Sequence, residues 1–434
     1  MSTLVDRLQT RVRSRGINFL ASEGFAQLLR RRARLLRRLR REGRAVHYFH
    51  QVDDPHSHLA VQKLDALRGG YDLPFESHLV SAPATKYQGD SERFEAWARR
   101  DARSIAAGYG VTFEPIGPPP ASAVHAANEH LAAIRGHDSF AGEAFAVGES
   151  LWAGRALPDP GRGTAGVEAV REGNALRTRL GHYLGGTCYF EGEWFWGIDR
   201  LRSLEQRLRD EGIQGPRGRT LVPEPTPLSA TGAGASGVLL EYFPSLRSPY
   251  TAVGHAGVMD LIQRSGVTAK LRPVMPMMMR GVPAPRAKQL YIITDAAREA
   301  RARHVPFGRI VDPFGPPVVR AFDLYAGAVA LGRGDAFVTA YLSAAWAEGV
   351  DITRDAGLRQ VTERAGLDWS QLLQHTSEAA SHALLEENLS AMLDVGLWGV
   401  PSFRVSGGNT LDAFACWGQD RLWRIEDEIA RRAT

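Results

Sequence analysis

The chain has 434 residues, 44% hydrophobic and 23% charged, which is length for two to four domains of roughly 100–200 residues each and composition for globular cores. No apolar run approaches the ~18 residues that a membrane-spanning helix needs. The two cysteines, Cys188 and Cys416, lie far apart and outside any Cys-x-x-Cys spacing, which excludes a disulfide scaffold and a dithiol redox motif and fits a reducing, cytoplasmic setting.

Charge is concentrated at the start. Residues 1–44 hold 13 arginines against Asp6, Glu23 and Glu42, a formal +10 in a chain of +5, so the remainder carries −5. No apolar segment with a small-residue cleavage site accompanies the arginines, and a secretory signal is not expected. Within this arm, "GFAQLLRRRARLLRRLRR" places Phe25, Leu28, Leu29, Leu35, Leu36 and Leu39 at helical spacing with arginine on the other faces, the pattern of an amphipathic basic helix. Two readings follow: the leucines dock on the first domain and leave the arginines in water, or residues 24–43 meet an anionic membrane surface. Nucleic acid is not expected, because no aromatic interleaving or nucleic-acid motif accompanies the charge.

Beyond the arm the chain repeats itself. "HYFHQVDDPHSHLAV" aligns with "LLEYFPSLRSPYTAV" at an offset of 194, which sets Asp54-Pro55 on Ser248-Pro249, Trp97 on Tyr291 and Asp101 on Asp295. Later, "YLGGTCYF…WFWGIDRLRSLEQRL" pairs with "LWGVPSFRV…ACWGQDRLWRIEDEI". Each copy reads strand, helix, strand, a helical stretch, then a strand pair and a closing helix. A parallel β-α-β unit with a terminal antiparallel hairpin outlines a thioredoxin-like sheet with a helical insertion. The expected organisation is an arm at 1–44, a first domain at 45–212, a linker at 213–236 and a second domain at 237–434.

The linker, "IQGPRGRTLVPEPTPLSATGAGASG", is rich in Pro, Gly, Ser and Thr. Its Gly232, Gly234 and Gly237 satisfy G-x-G-x-x-G but precede a strand, whereas a dinucleotide fingerprint follows one and opens a helix. No nucleotide site is expected there. In the second copy the expected strands are "GVLLEYF", "TAKLRPVM" and "SFRVSG", residues 318–395 carry helical periodicity without a convincing strand, and Ser248, Pro249 and Tyr250 open a helix after the first strand.

Five pieces of the second copy occur in a familiar order: a strand leading to "SPY", the helix "KQLYIITDAAREARARHVPFG", the helical run "FVTAYLSAAWAEGVDITRDAGLRQVTERAGLD", "GVPSF" and "WGQDRL". With them, residues 237–430 resemble the 2-hydroxychromene-2-carboxylate isomerase and kappa-class glutathione transferase group of the DsbA-like thioredoxin superfamily. The resemblance implies two thioredoxin-like domains, each with a DsbA-like helical insertion, behind the basic helix, the first copy having lost most site-forming residues.

It also implies a glutathione site. Ser248 stands where disulfide oxidoreductases of this fold carry a reactive cysteine and is expected to hydrogen-bond the glutathione thiolate, lowering the thiol's pKa. Pro401 matches the cis-proline of the fold, which presents Val400 to the cysteinyl backbone of glutathione. Gln419 and Asp420 match the residues that receive the γ-glutamyl group, and Lys288 a base that meets a glutathione carboxylate. Tyr250, Met277 and Met278 are expected in the pocket for a small hydrophobic substrate, where flexible, polarizable methionines suit an apolar ligand.

Each residue has a plainer reading: Ser248 an N-cap before Pro249 at N1, Lys288 an exposed helix lysine, the methionines core filler. The expected function is a glutathione-dependent isomerase or transferase. A non-catalytic thioredoxin-fold binding protein is the alternative, supported by "MRGVPAPRA" having no asparagine where the family carries one.

In the first copy, Asp54, Thr187 and Phe94 replace serine, cis-proline and lysine, so this copy is expected to be a structural half that completes the second as a pseudo-dimer. His47, His50, His56 and His58 cluster near Asp53 and Asp54 without a known metal spacing, and no metal ligands are expected. A second copy of the chain remains open as a partner.

Overall fold

The computed structural model describes residues 4–157, 163–216, 218–228 and 235–433. It divides into an N-terminal unit, formed by Ala26–Thr226 with Pro285–Tyr291, and a C-terminal unit, formed by Met1–Phe25, Pro227–Ala284 and Ile292–Thr434. Helix α1 spans Leu4–Ala21 and α2 Glu23–Leu39, the arginine-rich pattern continuing with the period that the sequence prescribes.

The N-terminal unit continues through β1 (Val46–His50), α3 (Pro55–Val61), α4 (Leu64–Gly70), β2 (Phe75–Leu79), α5 (Thr85–Gln88), α6 (Ser91–Ala106), α7 (Ala121–Ala132), α8 (Phe140–Trp152), α9 (Ala165–Leu180), β3 (Thr187–Phe190), β4 (Glu193–Trp196) and α10 (Leu201–Asp210). Its sheet has the order β2-β1-β3-β4, with β1 parallel to β2 and antiparallel to β3. Tyr48, Phe49, Phe140, Phe190 and Phe195 fill the core.

The β3–β4 hairpin turns on Glu191 and Gly192 at φ 37° and 97°. Gly192 has a second reason to be glycine: a Cβ there would stand 2.7 Å from the Leu29 backbone of α2. That close approach brings four arginines onto carboxylates. Arg30 binds Glu193 at 2.8 Å, Arg37 binds Glu191 at 3.0 Å, Arg44 binds Glu211 at 2.7 Å, and Arg34 reaches both Glu191 and Glu211. Meanwhile Leu28, Leu35 and Leu39 are 51%, 58% and 71% exposed. The docked-leucine reading of this helix is therefore inverted. Buried Glu191 and Glu193 must find cations; Arg207 and Arg44 supply some, and α2 adds Arg30, Arg34 and Arg37 at the expense of its apolar stripe.

The C-terminal unit holds β5 (Val238–Phe243), α11 (Pro249–Ser265), β6 (Thr268–Leu271), α12 (Arg286–Ala302), α13 (Pro316–Ala330), α14 (Gly334–Ser343), α15 (Asp355–Arg364), α16 (Trp369–His375), α17 (Glu378–Asp394), β7 (Ser402–Gly407), β8 (Phe414–Trp417) and α18 (Leu422–Ala433). The first turns of α12 group with the N-terminal unit. The sheet order is β6-β5-β7-β8, again one parallel pair and two antiparallel ones. Its core runs from Leu240 and Tyr242 through Phe322, Phe337 and Tyr341 of the helical stretch to Phe403 and Ile429. The expected strands at 237–243 and 402–407 and the helical character of 318–395 are present, while the expected strand at 268–275 ends at Leu271. Of the linker glycines, Gly232 and Gly234 lie outside the described residues, and Gly237 directly precedes β5.

Candidate functional site

The loop between β5 and α11 is pinned from several sides. The Trp346 indole N–H donates to the Leu246 carbonyl at 3.1 Å, the Ser245 N–H donates to the Thr251 hydroxyl at 3.3 Å, and Arg247 binds Asp312 at 2.7 Å. Held this way, Ser248 becomes the N-cap of α11, with Pro249 at N1; its buried hydroxyl oxygen accepts the Thr251 N–H at 3.1 Å. A serine hydroxyl has one proton and two lone pairs. Capping uses a lone pair and leaves the O–H to donate beside the positive end of the helix dipole.

The Val400–Pro401 bond is cis, and among the described residues no hydrogen bond engages the Val400 backbone. The Pro401 carbonyl instead accepts the Gly418 N–H at 2.9 Å. The turn at 418–421 then meets α11: a Cβ on Gly254 would fall 2.7 Å from Gln419 Cβ. Gln419 is buried, and among the described residues neither side-chain amide atom has a hydrogen-bond partner. Asp420 lies 3.5 Å from Arg421 in the same turn.

Tyr250 donates to buried Asp295 at 2.8 Å, which commits its hydroxyl to the scaffold. Met277 and Met278 form a short 3-10 turn; Met278 is 36% exposed, and its Sδ lies 3.8 Å from Arg247, next to Ser248. Arg280, which the sequence reading did not single out, ties this turn to the cis-proline segment by donating to the Met275 and Trp398 carbonyls at 3.0 and 2.6 Å. Burial lowers its pKa to about 10. Contacts thus link Arg247–Ser248, Met278, Arg280, Trp398–Pro401 and Gln419.

Lys288 belongs to the other unit. Its Nζ donates to the Tyr87 carbonyl at 2.7 Å, and burial lowers its pKa to about 8.

In the N-terminal unit, Asp54 caps α3 and accepts from the His56 and Ser57 N–H groups at 3.3 and 2.9 Å and from the Ser57 hydroxyl at 2.7 Å. A shallow cleft with a cavity volume of about 100 Å³ lies beside Gln51, Asp53, Asp54, Gln88, Phe94 and Trp196. A missing serine and proline say nothing about open space, so the sequence carries no sign of it. Burial raises the Asp53 pKa. His50, His56 and His58 are buried separately from His47, and burial lowers His50 to about 3 and His58 to about 4. Cys188 and Cys416 are both buried, and burial pushes the Cys188 thiol up to about 12.

Residues 239–430 match the family model described as a DSBA-like thioredoxin domain; the C-terminal half is a DsbA-like thioredoxin domain. Among solved structures, a putative protein disulfide isomerase from Nitrosomonas europaea is similar at 14% identity, covering 44% of this chain and 96% of its own, with a TM-score of 0.36. A 2-hydroxychromene-2-carboxylate isomerase is similar at 20% identity, 44% and 95% coverage and a TM-score of 0.36. The cytosolic disulfide reductase DsbM from Pseudomonas aeruginosa is similar at 18% identity, 45% and 100% coverage and a TM-score of 0.35. No curated protein matches the chain. Among the described residues no helix is long and apolar enough to cross a membrane.

Proposed function

We propose that the C-terminal unit binds glutathione with its sulfur at Ser248 and acts as a glutathione-dependent isomerase or transferase on a small hydrophobic electrophile. The observation that carries this reading is the division of labour at Ser248, whose lone pair caps α11 while its proton stays available to a thiolate. The buried amide of Gln419, unpartnered among the described residues, supports a polar ligand group at that turn. The open backbone of Val400 supports strand-like pairing with a peptide. As an isomerase, the thiolate adds to a conjugated alkene, the resulting single bond rotates, and elimination returns glutathione unchanged. As a transferase, the adduct departs.

We read the N-terminal unit as a second thioredoxin-like copy. The shared strand order supports this, as does the recurrence at the same offset of a side chain in the first helical turn facing an aspartate: Tyr250 to Asp295 at 2.8 Å and His56 to Asp101 at 3.7 Å. We further read the exposed leucines of α2, flanked by Arg31, Arg32 and Arg38, as a surface for anionic lipid.

A non-catalytic binding protein is the second reading, favoured by Lys288 being committed to Tyr87. Calorimetric titration of glutathione at pH 7.5, with absorbance near 240 nm followed for thiolate, tests the first. Binding that Pro401→Ala abolishes supports it; no heat at millimolar glutathione overturns it in favour of the second.

A further inference from the structure

The geometry points to a divalent-metal site in the N-terminal unit: we propose that His47, Glu76 and His78 bind Zn²⁺. His47 lies on β1, and the parallel register sets it opposite Glu76 on β2. Side chains alternate along a strand, so His78, two residues on, shares the face of Glu76. The side chains converge accordingly. His47 Nδ1 is 3.1 Å from His78 Nε2 and 3.2 Å from a Glu76 carboxylate oxygen, and the three atoms lie within 4.8 Å of one another.

Ligand atoms on a tetrahedral zinc, at bond lengths of about 2.0–2.1 Å, stand about 3.3 Å apart. Two edges of the triangle already have that length, and the half-exposed Glu76 has room to close the third. A proton serves this arrangement poorly. One N–H on His47 Nδ1 faces two acceptors, and whichever it leaves presents a lone pair inward. A cation takes all three. Two imidazole nitrogens and one carboxylate are zinc ligands by type, and the exposed side of Glu76 lets water complete the shell.

The other sheet offers an internal contrast at the same register position. There Glu241 pairs with Lys270 across β5 and β6, and the buried Glu241 carboxylate receives Arg272 at 2.6 Å and Arg404. Charge is matched by protein cations. Around Glu76, among the described residues, the only ion-pair partner is His47, and Arg135 is engaged by Glu172 at 2.7 Å. The rings are also held in place, with Phe49 stacked on His78 at 5.0 Å and Tyr189 at 6.2 Å from His47. The sequence hid this set, because Glu76 and His78 stand about thirty residues beyond the histidines near Asp54.

The test uses the full, tag-free chain, titrated with Zn²⁺ by calorimetry and with Co²⁺ while its visible d–d absorption is followed. One equivalent is expected to bind, and Glu76→Gln and His78→Gln are each expected to weaken binding by at least about 100-fold, the upper end of what even outer-shell changes cost. His130→Gln removes the exposed His130–Glu143 pair and is expected to change nothing. Thermal melting without metal verifies that the variants fold; Glu76→Gln, half exposed, decides the matter if His78→Gln does not. Absence of a Co²⁺ band at equimolar metal, or unchanged binding in Glu76→Gln, overturns the assignment.

Discussion

Ser248 does two jobs in the proposed mechanism, and two substitutions separate them. In Ser248→Ala the Thr251 N–H, 3.1 Å from the hydroxyl oxygen, loses its cap. That costs about 1 kcal/mol, a fall in Tm of about 2–4 °C for a unit of this size. The same change removes the donor to the sulfur. A hydrogen bond to a charged group is worth about 1.5–3 kcal/mol, so the bound thiol's pKa rises by about 1–2 units and glutathione affinity at neutral pH falls about 10–100-fold. In Ser248→Asp the cap is kept, as Asp54 keeps it in the other sheet with N–H contacts at 3.3 and 2.9 Å, while a carboxylate faces the sulfur. Its Tm is expected to stay near wild type while glutathione binding disappears. Differential scanning calorimetry, glutathione titration and 240 nm absorbance against pH read the three quantities. Wild-type thiolate titration in Ser248→Asp refutes the placement of the sulfur, and an unchanged Tm in Ser248→Ala refutes the cap.

Gly254→Ala sets a Cβ 2.7 Å from Gln419 Cβ; overpacking of about 1–3 kcal/mol outweighs the ~1 kcal/mol gain in helix propensity, so both Tm and glutathione binding are expected to fall. Gly257→Ala meets only the Leu422 Cδ2 end at 2.9 Å and is expected to stay near neutral in urea unfolding. Burial lowers Lys288 to about 8 from 10.5, so between these values the unfolded chain binds more protons than the folded one and stability rises with pH. The Tm advantage of Lys288→Met is therefore expected to be largest below pH 8 and to shrink toward pH 10.5, in a series of melts. Leu35→Glu with Leu39→Glu, both exposed, is expected to abolish sedimentation with phosphatidylserine vesicles and leave Tm within about a degree; sedimentation that persists refutes the α2 surface.

The apolar runs that become β5 and β7 were legible, and so was the helix opening at Ser248-Pro249, because these signals are local: strand residues flanked by turn residues, and a hydroxyl before proline. What escaped the sequence depends on partners far along the chain. Periodicity showed that α2 has an apolar and a basic face but not which one docks, since that is decided by Glu191, Glu193 and Glu211. Arg280 looked like a loop residue until its guanidinium met the Trp398 carbonyl. Lys288 has a reasonable place by alignment, yet the start of its helix belongs with the other unit.

The two helix starts place the same oxygen in the same position with opposite consequences. Ser248 and Asp54 both cap and both precede a proline; Ser248 receives one N–H of the first turn and Asp54 two. Capping alone therefore cannot identify a reactive site, because an acceptor lone pair is all it requires. What differs is the proton. Ser248 retains one, and the neighbouring Arg247 charge is matched by Asp312, so a donor at a helix start is what it offers to a proposed anionic sulfur. Asp54 spends its oxygens on three donors and sits beside Asp53, whose raised pKa records how poorly that corner tolerates further negative charge. The cleft at Asp54 is thus closed to a thiolate by its charge, and the proposed thiol chemistry is assigned to Ser248 instead.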